Sequence, residues 1–297
     1  MPSPAPERIL QRLEWRVIRR LDGILQGDYH SLFYGAGLDL ADLREYQFED
    51  DIRYIDWNVT ARMDSPYVRQ YVEDREVTAW FLLDLSPSVD FGTVHTMKRN
   101  LLIDFVTVMA RLLTRHGNRV GAIFYGSKVE RVIPPASGRL QVLRLINDLS
   151  RQPRLPRSPL TDLSALLERA YRTIKRRSLV FIVSDFFSKP GWERPLALLN
   201  QRHEVLGVRL TDPREMELPD IGPIVMEDAE TGEQLYVDTH DKRFRDRFHA
   251  ATQRREVELS AAFRRGQIDV LSLSTEEDLL RSIVRFAALR KQRKFVK

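Results

Sequence analysis

The sequence predicts an α/β fold: a doubly wound, mostly parallel sheet with an N-terminal extension before it and a β-hairpin insertion late in the chain. Three observations point there. From Val77 onward, short apolar runs alternate with amphipathic helical stretches. The runs VTAWFLLD, SLVFIVSD and EVLGVRLTDP are almost continuously apolar, as strands buried on both faces are. The stretches between them are long enough to carry the chain back over a sheet to the next parallel strand.

The elements follow in order. Residues 1–27 read as an amphipathic helix, with Ile9, Leu13, Val17, Leu21 and Leu25 spaced four apart among Arg8, Arg12, Arg16, Arg19 and Arg20. A helix of that kind packs on its own domain or, with its basic face, lies on a membrane surface. Asp22, Glu14 and the narrow stripe favour packing. Residues 28–76 are rich in Tyr, Asp and Arg and lack a long period, so they read as an extension of loops and short strands. Residues 69–77 alternate polar and apolar side chains, as a strand or its approach does.

The α/β domain then spans residues 77–297. Lys98–His116 is a helix with Leu101, Leu102, Phe105, Val108, Met109 and Leu112 on one face, stopped by Gly117-Asn118. Arg119–Tyr125 and Val129–Ile133 are strands joined across Gly126-Ser127 as a hairpin. Leu140–Leu149 is helical, and Pro153, Pro156 and Pro159 mark an irregular loop. Helices follow at Asp162–Lys175 and Glu193–Gln201, and a polar hairpin around Thr231-Gly232 lies in an insertion near residues 222–238. A charged helix at about Lys242–Arg264, a strand at Ile268–Leu273 and a last helix from Thr275 complete the chain. The basic tail Arg290–Lys297 complements the last helix dipole and then frays.

Composition narrows the function. Of 297 residues, 43% are apolar and 30% charged, which fits a globular domain with a real core. Lys and Arg number 47 against 42 Asp and Glu, and the net charge of +5 is too mild to demand nucleic acid. With no cysteine there is no disulfide, thiolate metal site or cysteine nucleophile, in keeping with a reducing cytoplasm. No stretch has the length and apolarity of a membrane helix, and the N-terminus lacks a secretory h-region. The six histidines show no zinc-site spacing. The glycines of Gly121–Lys128 have the spacing of a phosphate loop, but Ser127 precedes Lys128 and the stretch reads as a strand, so no ATP hydrolysis is expected.

Ligands of an open parallel sheet bind at the carboxyl ends of its strands, near the point where strand order reverses. After the first buried run stands Asp84-Leu85-Ser86-Pro87-Ser88, after the second Ser184-Asp185, and before the helix leading into the second lies Thr161-Asp162. Two carboxylates and three hydroxyls without soft ligands suit a small hard cation. The bland alternative has Ser86 and Ser88 capping the next helix, with Asp84 and Asp185 solvated.

This set resembles the metal-ion-dependent adhesion site of von Willebrand factor A domains, with Asp-x-Ser-x-Ser after the first strand, a Thr in a later loop and an Asp after the fourth strand. Asp84, Ser86, Ser88, Thr161 and Asp185 match all five in order. The upstream segment resembles the bacterial family called domain of unknown function 58: Arg44-Glu45-Tyr46, Asp50-Asp51, Arg53, Ile55-Asp56-Trp57 and Ala61-Arg62, with Glu49 in place of the family's Gly. Asp228, Thr231-Gly232-Glu233 and Asp238-Thr239 agree with it. The resemblance implies an A-type domain binding Mg²⁺ or Mn²⁺ through those five residues and holding a partner protein's carboxylate, without enzymatic activity. It also implies a MoxR-type AAA+ ATPase, or its client, as partner. Asp50, Asp51 and Asp56 could form a second metal site, but Arg44, Arg53 and Arg62 favour an ion-pair network. Two other functions compete. A magnesium-dependent phosphotransferase would use Asp84 as nucleophile, but Ser86 stands where an acid is needed, and no Lys except Lys189 is a candidate beside the site. A basic membrane-surface or nucleic-acid binder would rest on the N-terminal helix and the tail.

Overall fold

A computed structural model of the chain describes residues 5–21, 43–48, 50, 52, 55, 57–63, 65–69, 77–155 and 157–295. The first helix, α1 (Pro6–Leu13), runs directly into a π turn at Glu14–Ile18. Four residues per apolar repeat exceeds the 3.6 of an α-turn, and the wider π turn absorbs the excess so that the stripe stays on one side. Ile9, Leu10, Leu13, Val17, Ile18 and Leu21 are all buried in the main core. The apolar stripe of the N-terminal helix is therefore spent on the domain itself. Leu25 lies outside the described residues.

Of the extension, β1 (Leu43–Glu45) and β2 (Tyr67–Arg69) form a small antiparallel pair, and α2 (Trp57–Met63) lies between them in sequence. From the acidic cluster expected here, Asp50 accepts the Gln47 N–H at 2.8 Å, a local turn contact. Asp51, Arg53 and Asp56 lie outside the described residues, as do residues 70–76 of the expected strand.

The main sheet has six strands: β3 (Thr78–Asp84), β4 (Arg119–Tyr125), β5 (Val129–Ala136), β6 (Leu179–Ser184), β7 (Glu204–Thr211) and β10 (Asp269–Ser274), in the order β10-β7-β6-β3-β4-β5. Every neighbouring pair is parallel except β4–β5, the hairpin expected across Gly126-Ser127. Gly121 thus sits inside a strand, and no helix follows the Gly126–Lys128 turn. β5 is longer than expected and carries Pro134 and Pro135, which an edge strand tolerates. The remaining strands, β8 (Pro223–Glu227) and β9 (Gln234–Asp238), form the inserted hairpin.

Alternation along β3 sorts the two cores. Ala79, Phe81 and Leu83 face a layer with α1, α3 (Lys98–Arg115), α4 (Gly138–Arg151) and part of α8 (Leu279–Phe295). Trp80 and Leu82 face α5 (Leu163–Thr173), α6 (Glu193–Arg202) and α7 (Lys242–Arg265). Phe81 stacks on Phe181 at 5.1 Å, and Phe105 meets Phe181 edge-on at 5.9 Å. This is the expected doubly wound α/β architecture. The last helix starts later than Thr275: Thr275 donates to Asp212, and Asp278 accepts the Arg281 N–H as the actual cap. Among the described residues, no helix is long and apolar enough to cross a membrane.

Candidate metal centre

Chain order reverses between β3 and β6: after β3 the chain builds outward to β4 and β5, then returns to lay β6 on the other side of β3. The carboxyl ends of these two neighbours carry Asp84 and Ser184-Asp185, so the reversal forms a crevice with carboxylates on both walls.

Asp84 is fully buried. Its Oδ1 accepts the Ser86 N–H at 3.0 Å, and its Oδ2 accepts the Ser184 hydroxyl at 2.6 Å. Burial first, and the nearby Asp185 charge second, push its carboxyl up to about 7, against hydrogen bonds from Ser184 and Ser86 that pull it down. Ser86 and Ser88 are also buried, and their hydroxyls lie 3.1 Å apart. The short 3₁₀ turn that follows, Pro87–Asp90, takes no side-chain cap from Ser86. Ser86 therefore does not cap this turn, and both Asp84 and Asp185 are buried.

Thr161 is buried on the loop that enters α5. Its carbonyl accepts from the Lys189 N–H at 2.9 Å and the Ser188 hydroxyl at 3.1 Å, which ties this loop to the chain leaving β6. Asp162, beside it, caps α5 through the Ser164 N–H and donates its own N–H to the Tyr125 hydroxyl at 3.0 Å. Asp185 accepts from Phe187 N–H at 3.0 Å and from Lys98 Nζ at 2.7 Å. Phe186, between them, takes a left-handed φ of 59°, which a ring packed against Trp192 and Phe263 holds in place.

Two residues of the site were missed in the sequence. Lys98, the first residue of α3, is fully buried and donates to Asp185 and, at 2.6 Å, to Glu215. This corrects the expectation that no convincing Lys stands beside the site. The signal was present: Lys98 precedes Leu101, Leu102 and Phe105 by three, four and seven positions, on the same apolar face. Glu230 comes from the turn between β8 and β9. It is 6% exposed and accepts the Thr161 hydroxyl at 2.9 Å and the Ser158 hydroxyl at 2.6 Å. A three-dimensional fold was needed to reveal that contact, since 69 residues separate the partners.

The donor set fits a hard cation. Asp84 is a buried carboxylate whose hydrogen bonds come from neutral donors, a costly state that a bound cation relieves. Among the described residues, no three His, Cys, Asp or Glu side chains gather around a point, so such an ion would depend on hydroxyls. Asp84, Ser86, Ser88 and Thr161 supply that hard oxygen chemistry, while Asp185 already shares its charge with Lys98.

The family model described as "Protein of unknown function DUF58" matches residues 42–258. The chain belongs to the DUF58 family. An uncharacterized protein of Mycobacterium tuberculosis, Rv1480, is 36% identical to this DUF58 chain over 290 residues, covering 98% of this chain and 91% of that protein. Solved structures similar to the DUF58 chain include the conserved hypothetical protein BatB from Bacteroides thetaiotaomicron, at 11% identity and a TM-score of 0.46, covering 73% of this chain and 99% of that one. Another is a manganese-loaded TRAP protein of Plasmodium vivax, at 17% identity and a TM-score of 0.36, covering 45% of this chain and 57% of that one.

Proposed function

We propose that this DUF58 protein is a non-enzymatic, metal-dependent protein-binding module that holds Mg²⁺ or Mn²⁺ at Asp84, Ser86, Ser88, Thr161 and Asp185 and presents it to a carboxylate of a partner protein. The observation that carries the reading is the buried Asp84 carboxylate at the chain reversal, beside the paired Ser86 and Ser88 hydroxyls and with only neutral hydrogen-bond donors. An ion held by so few protein charges keeps affinity for an incoming Asp or Glu. The partner is a MoxR-type AAA+ ATPase or its client, in the cytoplasm. This rests on the family resemblance and on no contact described above.

Lys98 favours a second reading, a magnesium-dependent phosphotransferase, because a buried ammonium stands beside Asp185 as such chemistry requires. Against it, Asp84 is fully buried, and Ser86 stands where a leaving-group acid is needed.

A metal that binds the native state alone raises its melting temperature by mass action. Melting in Mg²⁺ is expected to exceed melting in chelator, and Asp84→Ala to abolish the difference. Identical melts in saturating Mg²⁺ and in chelator, with no calorimetric binding, would remove the cation site. Phosphomonoester hydrolysis lost in Asp84→Asn would replace the binding reading with the phosphotransferase.

A further inference from the structure

The crevice occupies one end of the sheet, and the exposed charges sort by end. Glu217, Glu227, Asp228, Glu233, Glu276 and Asp278 are exposed and lie on segments that follow β7 or β10, at the carboxyl ends of the strands. The opposite end is basic. There α5, α6 and α7 return the chain to the amino ends of β6, β7 and β10, which the sheet sets side by side. Lys175, Arg176 and Arg177 precede β6, Arg202 precedes β7, and Arg264 and Arg265 precede β10. All six are exposed, and among the described residues no acid forms an ion pair with any of them. The acids that open β7 and β10, Glu204 and Asp269, are both held by Arg290. A cation on the last turn of a helix complements its dipole, which accounts for Arg202, Arg264 and Arg265. Lys175, Arg176 and Arg177 are a run of three beyond the end of α5, more than one helix end requires.

Two large apolar side chains stand at the same end. Ala136, the last residue of β5, pairs with Val120 at the start of β4, and α4 begins just beyond it with Arg139 exposed and Leu140 82% exposed. Trp15 is 67% exposed, with the Arg19 guanidinium 3.7 Å over its ring. Its neighbour Glu14 reaches Arg111 and Arg115 at the carboxyl end of α3, which leads into β4. From β10 to β5 the six strands span about 24 Å at ordinary strand spacing, so these groups fringe a broad end and not a groove.

We propose that this end is a docking surface for an anionic phospholipid bilayer, which holds the crevice facing away from the membrane. Lysines and arginines gain from the surface potential, and an exposed Trp beside Arg suits the headgroup region. The acids of the crevice end are repelled by the same surface. Charge separation therefore sets one orientation, although the formal net charge is only +5. Duplex nucleic acid would also engage the cations, but it would leave Trp15 and Leu140 in water.

The test uses the full chain with mixed phosphatidylserine–phosphatidylcholine vesicles, and pure phosphatidylcholine vesicles as reference, in co-sedimentation at physiological salt. Wild type is expected to bind the mixed vesicles and not the neutral ones. A triple variant, Lys175→Gln with Arg176→Gln and Arg177→Gln, is expected to melt as wild type and to bind roughly a hundredfold more weakly, at about fivefold per cation. Lys189→Gln with Arg214→Gln, which removes two exposed cations from the crevice end, is expected to bind as wild type. Brominated lipid in the mixed vesicles is expected to quench tryptophan fluorescence in wild type and much less in Trp15→Phe. Absence of binding to mixed vesicles, equal binding by the triple variant, or the same loss from the crevice-end variant would overturn the docking surface. Duplex DNA bound by a chain that ignores the vesicles would overturn it in favour of a nucleic acid.

Discussion

Lys98 carries its ammonium to a place water does not reach, between Asp185 and Glu215 and 5.7 and 5.6 Å from the rings of Phe91 and Phe187. Burial is the largest influence on this lysine and pulls its pKa down, but Asp185 and Glu215 outweigh it and the net direction is upward. Removing one partner of a buried ion pair strands the others. Lys98→Met is expected to lower stability by about 3–5 kcal/mol, read from urea midpoints, and a midpoint within error of wild type would show that the pair contributes nothing.

Asp212 is the companion case. It accepts from Thr93 N–H and hydroxyl, Arg214 N–H and Thr275 hydroxyl, and it forms a capping box with Glu215, the same Glu215 that meets Lys98. Burial pushes its carboxyl up, and the hydrogen bonds led by Thr275 and Thr93 push it down further, for a net depression. Stability from a depressed carboxyl is present above its ordinary value of 3.8 and is lost as pH falls through the lower folded value. Asp212→Asn should therefore cost about 2–3 kcal/mol near neutral pH, and its deficit should shrink as wild type is acidified below about pH 4. A deficit that stays constant down to pH 2 would contradict this. The Asp212-Pro213-Arg214-Glu215 box is legible as a local pattern, since all its contacts lie within four residues. Its links to Thr93 and Thr275 are not, because they span 119 and 63 positions.

At the scale of elements, the N-terminal helix shows what periodicity can and cannot supply. Its four-residue spacing marks a buried stripe, but the π turn that keeps the stripe aligned has no sequence signature of its own. Ile18 lies in that turn and is fully buried. Ile18→Ala is expected to cost about 2–5 kcal/mol, a loss that differential scanning calorimetry would read as a lower melting temperature. An unchanged melt would mean that the helix is an ornament on a core that stands without it. The strands behaved differently: β3, β6 and β7 are continuous apolar runs because helices cover both faces, so pattern and environment agree. The last helix starts at Leu279 and not at Thr275. Long-range use of Thr275 by Asp212 leaves the capping to Asp278.

For the whole molecule, the legible part of the site is the part made by strand ends. Asp84, Ser86, Ser88 and Asp185 follow directly from where β3 and β6 stop, and their meeting follows from the reversal of strand order. Glu230 and Lys98 reach the same crevice from an inserted hairpin and a helix start, and only packing decides that they arrive. Part of the positive charge is met within the chain: Arg12, Arg99, Arg111, Arg209 and Arg290 are each engaged by acids of the same chain.

The outer strand of the sheet has a bearing on assembly. β5 ends one side of the sheet, and its consecutive prolines at 134 and 135 carry no N–H. Both lie where the pairing with β4 shifts register, opposite Gly121, so this stretch of the edge is irregular and offers no N–H from either residue. Growth of the sheet into a ribbon of stacked copies is therefore interrupted at this rim. An edge broken in this way resists strand-to-strand pairing between copies of the chain even where they are crowded together.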